Sequence, residues 1–198
     1  TPNAEQIKTE EKVLTSGESY AATLDYFGVE GTNKAYLEVS NFPSVDLGRR
    51  LDYLISYPHG CIEQTTSAVF PQLYLADLME LDASRKKSIQ ANVSAGIDRI
   101  KIFQTSNGGF SYWPGDTYDN EWGTNYAGHF LFQAERRGYT IPENLKQKWI
   151  SYQQEQAKNW SRTNNSFVHA HGNESYELIQ AYRLYVLALS NHAELSAM

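Results

Sequence analysis

The one cysteine of this 198-residue sequence, Cys61, precedes Gln64 by three positions in the string Tyr57-Pro58-His59-Gly60-Cys61-Ile62-Glu63-Gln64. Side chains at i and i+3 of a helical turn lie roughly 5–6 Å apart at Cβ, which lets a cysteine sulfur reach a glutamine side-chain amide carbon. Attack there, with loss of ammonia, joins the two residues in a thioester ring. Such a bond is a stored electrophile, because its leaving group is a thiol of pKa about 8.5, whereas an alcohol leaving group sits nearer the value of water, about 15.7. Amines and hydroxyls attack it, and water does so too unless the site is buried. On these residues alone the pattern is weak, since a lone cysteine is most often a small buried hydrophobe.

The elements that must hold this pair are read from periodicity. Pro58 and Gly60 make a turn and helical spacing starts directly after it, so Cys61 falls at or beside a helix N-terminus. Free N–H groups and the positive dipole end stabilise a thiolate there. Val69, Leu73, Leu75, Leu78 and Met79 continue the helical spacing, with Pro71 kinking or interrupting it. Ile89, Val93, Ile97 and Ile100 mark a second helix from near Ser84. Ser106 to Gly123, with its glycines and Pro114, reads as a loop packed by Phe110, Tyr112, Trp113 and Trp122. Thr124 or Asn125 is expected to cap a helix running to Arg137, with Gly138 in the C′ position. Pro142 suits the first turn of the next helix, in which Leu145, Trp149 and Tyr152 share a face. The polar stretch Ser161 to Asn173 leads to a last helix through Leu178, Ala181, Tyr182, Tyr185, Val186 and Leu189.

Upstream of the motif the period is two. Tyr20, Ala22, Leu24 and Tyr26, then Ala35, Leu37 and Val39, alternate on either side of Gly28 to Gly31, which predicts a β-hairpin between Glu18 and Phe42. Strands followed by a run of helices usually form separate units, so a boundary is expected near Ser44 to Leu51.

Composition narrows the function classes. Hydrophobic content of 41% with 20% charged residues is that of a globular chain and not of a disordered one. A formal charge of -6, with Arg85-Lys86-Lys87 the longest basic run, lacks the footprint that a phosphate backbone requires, so no nucleic-acid partner is expected. No apolar stretch approaches the roughly 20 residues that cross a bilayer, and no membrane contact is expected within this sequence. Thr1-Pro2-Asn3-Ala4 is neither a signal peptide nor an initiator start, and the expectation is a soluble piece of a longer chain. One cysteine excludes an internal disulfide framework. The five histidines show no zinc spacing with carboxylates or the cysteine, so neither a metal nor any other cofactor is called for.

The longer string Gly60-Cys61-Ile62-Glu63-Gln64 resembles the thioester motif of the alpha-2-macroglobulin and complement family, and Tyr57-Pro58-His59-Gly60 before it resembles the bacterial branch. Val69-Phe70-Pro71, Tyr74 with Asp77, and the loop Gly108-Gly109-Phe110-Ser111-Tyr112-Trp113 are also similar to that family. The resemblance implies a mainly α fold, an α/α toroid of helical hairpins flanked by a small CUB-like β-sandwich. Residues 1–45 would be the β segment of the flanking domain, and 46–198 the N-terminal part of the toroid. It implies a stoichiometric inhibitor and not an enzyme. A protease cuts a bait region elsewhere, the shield opens, and an amine or hydroxyl of the protease takes the Gln64 acyl group and frees Cys61. Partners would be target proteases and the remaining macroglobulin domains, and the location would be outside the cytoplasm, in the periplasm or on the envelope, with lipid anchoring through another part of the chain.

Further roles follow from the same resemblance. Tyr57 stands where bacterial members keep a tyrosine that shields the thioester, although a core aromatic beside a turn explains it equally. Glu63 orients the ring or faces solvent, and a glutamate in a first turn is stabilised by the dipole in either case. His169 and His171 lie where some members carry a histidine that forms an acyl-imidazole, against the alternative of two solvated histidines in a polar loop. His129, beside Phe130, reads as a core or rim histidine, and His59 tunes Cys61 or only occupies the turn. Two rival functions are a cysteine-nucleophile acyl-transfer enzyme using His169 or His171, and a toroid that binds apolar ligands among its many tyrosines and tryptophans.

Overall fold

The computed structural model describes residues 6–37, 39, 41, 51–161 and 174–197, with side chains of the last helix described from Glu177 onward. The chain divides into two compact units, Thr1–Val45 and Asp46–Met198.

In the first unit the described residues form turns at Ser16–Gly17 and around Gly28–Gly31 and no strand. The hairpin expected between Glu18 and Phe42 is therefore corrected. Alternating apolar residues give one apolar face, and a two-stranded ribbon with nothing packed on that face is marginal in water. Tyr26, Tyr36, Leu37 and Val39 are all exposed, so the alternation finds no second layer here.

The second unit is helical. Helix α1 (Ile62–Val69) buries Ile62, Thr65, Thr66 and Val69. Pro71, with no N–H to give, ends its ladder, and the chain tightens into a 3₁₀ turn over Pro71–Tyr74 before the short α2 (Leu75–Leu78). Helix α3 (Ala83–Lys101) starts at Asp82, whose side chain accepts the Arg85 N–H at 2.8 Å. Its buried stripe holds Ile89, Val93, Ile97 and Ile100, as the spacing predicts, and Gly96 is buried with them. Helix α4 (Glu121–Arg136) begins earlier than expected. The cap is Asn120, whose side chain accepts the Gly123 N–H at 2.6 Å. Thr124 and Asn125 lie inside the helix, fully buried, where their side chains serve tertiary partners. Gly138 follows the helix at φ +90°, the left-handed stop expected of it. Helix α5 (Glu143–Asn159) follows Pro142 and buries Leu145, Trp149 and Tyr152 together. Helix α6 (Glu174–Leu189) leads to a short 3₁₀ turn at Leu195–Ala197.

The core lies where α1 packs on α3 and α4, while α4 and α5 both pack on α6. Trp149 of α5 is fully buried and donates to the Thr124 carbonyl at 2.8 Å, which pins α5 to α4. The inward face of helix α6 joins the expected Val186 to polar residues. Leu178 and Tyr185 are exposed, while Gln180, Arg183, Val186 and Leu187 are buried. Arg183 donates to the side-chain oxygens of Gln153, Gln180 and Glu121 at 2.9, 2.6 and 3.2 Å. Gln153 in turn donates to Asn125 at 2.5 Å, so a satisfied polar network joins α4, α5 and α6. No helix among the described residues is long and apolar enough to cross a membrane.

Candidate functional site

Cys61 is the N-cap of α1, in extended backbone at φ -73°, ψ 176°, one residue after Gly60 in the left-handed region at φ +86°. The turn aims the cysteine inward, and Cys61 is 2% exposed. Gln64 is the third residue of the helix and is itself exposed. Its side chain folds back over the turn, so that Oε1 accepts the Cys61 backbone N–H at 3.1 Å while the Cys61 side chain faces the Gln64 backbone N–H. This reciprocal cap satisfies donors that a helix start otherwise leaves open. It also brings both side chains back onto the same turn. A Cβ at position 60 would fall 2.1 Å from Gln64 Oε1 and 2.9 Å from its Cδ, so the carboxamide rests on the bare Cα of Gly60.

The turn is held from three directions. Arg99 of α3 donates to the Gly60 carbonyl at 2.8 Å and to Thr65 Oγ1 at 3.1 Å, and its guanidinium lies 5.7 Å from the Phe103 ring centroid. From α4, Gly123 lets Ile62 pack close, since a Cβ there would sit 2.6 Å from the Ile62 Cγ2. From the loop between α3 and α4, the Tyr112 carbonyl accepts the Ile62 N–H at 3.1 Å. Its neighbour Cys61, followed by the charge of Glu63, pushes the Tyr112 phenol above its ordinary pKa. The loop itself is packed, as expected. Phe110 is fully buried, its N–H donates to Thr124 Oγ1 at 2.8 Å, and Asp119 accepts from Thr105.

The chemistry available follows from this geometry. The Cys61 N–H already donates to the acyl oxygen that gains charge when a nucleophile adds to the Gln64 carbon, a single-donor oxyanion site at a helix start. Cys61 is buried and Gln64 exposed, so a nucleophile approaches from the Gln64 side.

The structure brings Cys61, Gln64 and Glu63 together on one turn, with Glu63 half-buried and near enough to act on Tyr112. Tyr57 is 66% exposed, and His59 is exposed too. His169 and His171 lie outside the described residues. His129 is the half-buried rim histidine the sequence predicts. Its Nδ1 meets the Tyr182 hydroxyl at 3.0 Å, and burial, followed by the charge of Arg136, holds it below the usual histidine range. Among the described residues no three of His, Cys, Asp and Glu gather as a metal site. Arg99 and the Tyr112 carbonyl are the site groups that sequence reasoning missed. Tyr112 was legible only as one aromatic in a packed loop, and nothing in the spacing of Arg99, 39 residues beyond Gly60, ties it to the turn.

A family model described as the A-macroglobulin TED domain matches residues 37–189. The alpha-2-macroglobulin of Escherichia coli (strain K12) is 35% identical over 139 residues, covering 65% of this chain and 8% of that protein. The alpha-2-macroglobulin of Xylella fastidiosa (strain Temecula1) is 28% identical over 176 residues, covering 83% of this chain and 10% of that protein. The chain thus spans no more than about a tenth of these curated relatives. Among solved structures, Salmonella alpha-2-macroglobulin reacted with methylamine superposes at TM-score 0.62 and 30% identity, over 79% of this chain and 10% of that one. Native E. coli alpha-2-macroglobulin, from domain MG7 to the C-terminus, superposes at 0.60 and 28% identity, over 78% of this chain and 25% of that one. By fold, by motif and by a family match over most of its length, the chain belongs to the A-macroglobulin TED domain family.

Proposed function

We propose that this chain is the thioester-bearing part of a covalent protease trap, in which Cys61 Sγ and the Gln64 acyl carbon are joined with loss of ammonia. After a protease cuts a bait region elsewhere in the protein, a lysine amine or a hydroxyl of that protease attacks the acyl carbon. The product is an amide or ester at Gln64 and a free thiol at Cys61, so each molecule acts once, as an inhibitor of proteases and not as an enzyme. The observation that carries this reading is the reciprocal cap, with Gln64 Oε1 on the Cys61 N–H over the bare Gly60 Cα. The acyl end is open in this chain, so the proposal assigns its cover to the remaining macroglobulin domains, with Tyr57 as the local shield. His169 or His171 redirects the acyl group to hydroxyls in the same scheme.

Residues 46–198 are, on this proposal, the first part of the toroid, and 1–45 a β piece of the flanking CUB-like domain that pairs with strands elsewhere in the protein. The division of the chain at Val45/Asp46 and the family match over 37–189 support that assignment. The proposal locates the protein outside the cytoplasm, in the periplasm or on the envelope, where foreign proteases are met.

Intact mass of the full-length protein tests the reading. Freshly purified protein is expected to be lighter than its sequence by one ammonia, and methylamine is expected to add its own mass to that species and expose one titratable thiol. Cys61→Ala is expected to carry no deficit and to capture no protease covalently. Undiminished capture by that variant sinks the proposal.

A further inference from the structure

The carbonyl of one residue and the N–H of the next share a single rigid plane, so whatever holds the Gly60 carbonyl also aims the Cys61 N–H. That N–H donates at 3.1 Å to Gln64 Oε1, the acyl oxygen on which charge gathers during the reaction. When an amine attacks, its lone pair bonds to the Gln64 acyl carbon and the carbonyl π pair moves onto Oε1. The carbonyl then re-forms, the carbon–sulfur bond breaks with its pair on Sγ, and the proton shed by nitrogen completes the thiol. A donor lowers this barrier in full only when it is already aimed at the oxygen and does not have to be turned toward it.

Glycine leaves that plane free to rotate. Gly60 sits at φ +86°, and a residue without Cβ turns about its backbone bonds at small cost. Arg99 of α3 supplies the hold. Its Nη2 donates to the Gly60 carbonyl at 2.8 Å and its Nε to Thr65 Oγ1 at 3.1 Å, so one planar guanidinium ties the turn to the helix that carries Gln64. Arg99 is half-buried and is itself fixed, because Ile97 and Ile100 beside it are buried in the core and its guanidinium lies over the ring of the buried Phe103. A bond from a cation to the carbonyl also polarises the peptide group, which makes its N–H the stronger donor.

We propose that Arg99 is a positioning residue of the thioester reaction, holding the Gly60–Cys61 peptide plane so that the Cys61 N–H meets the oxyanion formed at Gln64. The proposal rests on the thioester reading above. Arg99 acts through the peptide group and not on the acyl carbon itself. The same plane serves the closing of the ring, because attack of Sγ on the Gln64 carboxamide also puts charge on Oε1.

An arginine that only braced or covered the turn would, when lost, leave the rate of attack unchanged or raise it, since an opened site admits nucleophiles more readily. Arg99→Met keeps an unbranched stem over Phe103 and removes both donors, while Arg99→Lys keeps a cation but not the fork that spans two acceptors. Both are made in the full-length protein, and thiol release under methylamine is followed as a first-order rate, which does not depend on the fraction of molecules that carry the ring. Arg99→Met is expected to react roughly tenfold more slowly than wild type, short of the hundredfold or so that outright removal of an oxyanion donor costs, with Arg99→Lys between the two. An Arg99→Met rate at or above that of wild type overturns the role, as does an Arg99→Lys rate no higher than that of Arg99→Met. If Arg99→Met never acquires the ammonia deficit, Arg99→Lys is read against wild type alone, and only a slower rate sustains the role. Absence of the deficit in both variants overturns it too. Absence of the deficit in wild type itself overturns the thioester reading and this role with it, an outcome told apart by the wild-type mass alone.

Discussion

At Gly60 two demands meet in one residue. The backbone sits at φ +86°, a region that costs an L-residue of order 1 kcal/mol or more, and the space where a Cβ would stand is filled by the Gln64 carboxamide. A methyl group there both strains the turn and pushes the acyl carbon off the sulfur. Gly60→Ala in the full-length protein is therefore expected to lack the ammonia deficit and to lose about 1–3 kcal/mol of stability, read by intact mass and by urea unfolding. A variant that still forms the full complement of thioester shows that Gln64 does not need its perch. Arg99 adds a second constraint on the same turn, because it holds the Gly60 carbonyl and Thr65 Oγ1 from a helix remote in sequence.

Between elements, the least apolar contact is the most informative. Arg183 is 1% exposed, and its guanidinium satisfies side-chain oxygens on α4, α5 and α6. Truncating it strands the carbonyl oxygens of Gln153 and Gln180 in the core and opens a cavity between three helices. Arg183→Ala is expected to cost about 3–5 kcal/mol, measured as a lower urea midpoint. A loss comparable to that of a surface substitution refutes the view that this network holds the helices together. The network also explains why the inward face of α6 carries polar residues beside Val186. Hydrophobicity alone ranks Leu178 and Tyr185 as core and Gln180 and Arg183 as surface, and only partners from two other helices reverse that order.

Over the whole second unit, the half-buried His129 makes stability depend on pH. It faces the Tyr182 hydroxyl, Gln133, the charge of Arg136 and the rings of Phe70 and Tyr185. Its pKa is lowered on folding, so the unfolded chain binds the proton more readily. The stability it contributes is complete above the unfolded value of about 6.5 and is lost as pH falls through that value to the folded one. The melting temperature is expected to drop on acidification through this window, and His129→Phe to flatten the drop. The carboxylates whose pKa is lowered, Asp77, Glu143 and Glu194, act at lower pH, below the ordinary carboxylate range. A wild-type drop of equal size in the variant assigns the effect elsewhere. The sequence by itself determined the Cys61–Gln64 pairing on one turn, the succession of helices, the break at Pro71 and the stop at Gly138, because each depends on residues within one or two turns of one another. Tertiary structure alone decided that Asn120 and not Thr124 caps α4, that Arg183 faces inward, and that Tyr112 and Arg99 reach Ile62 and Gly60. It also decided that the alternating residues upstream form no hairpin, since a strand pattern states which face wants cover and only the packed chain provides or withholds it.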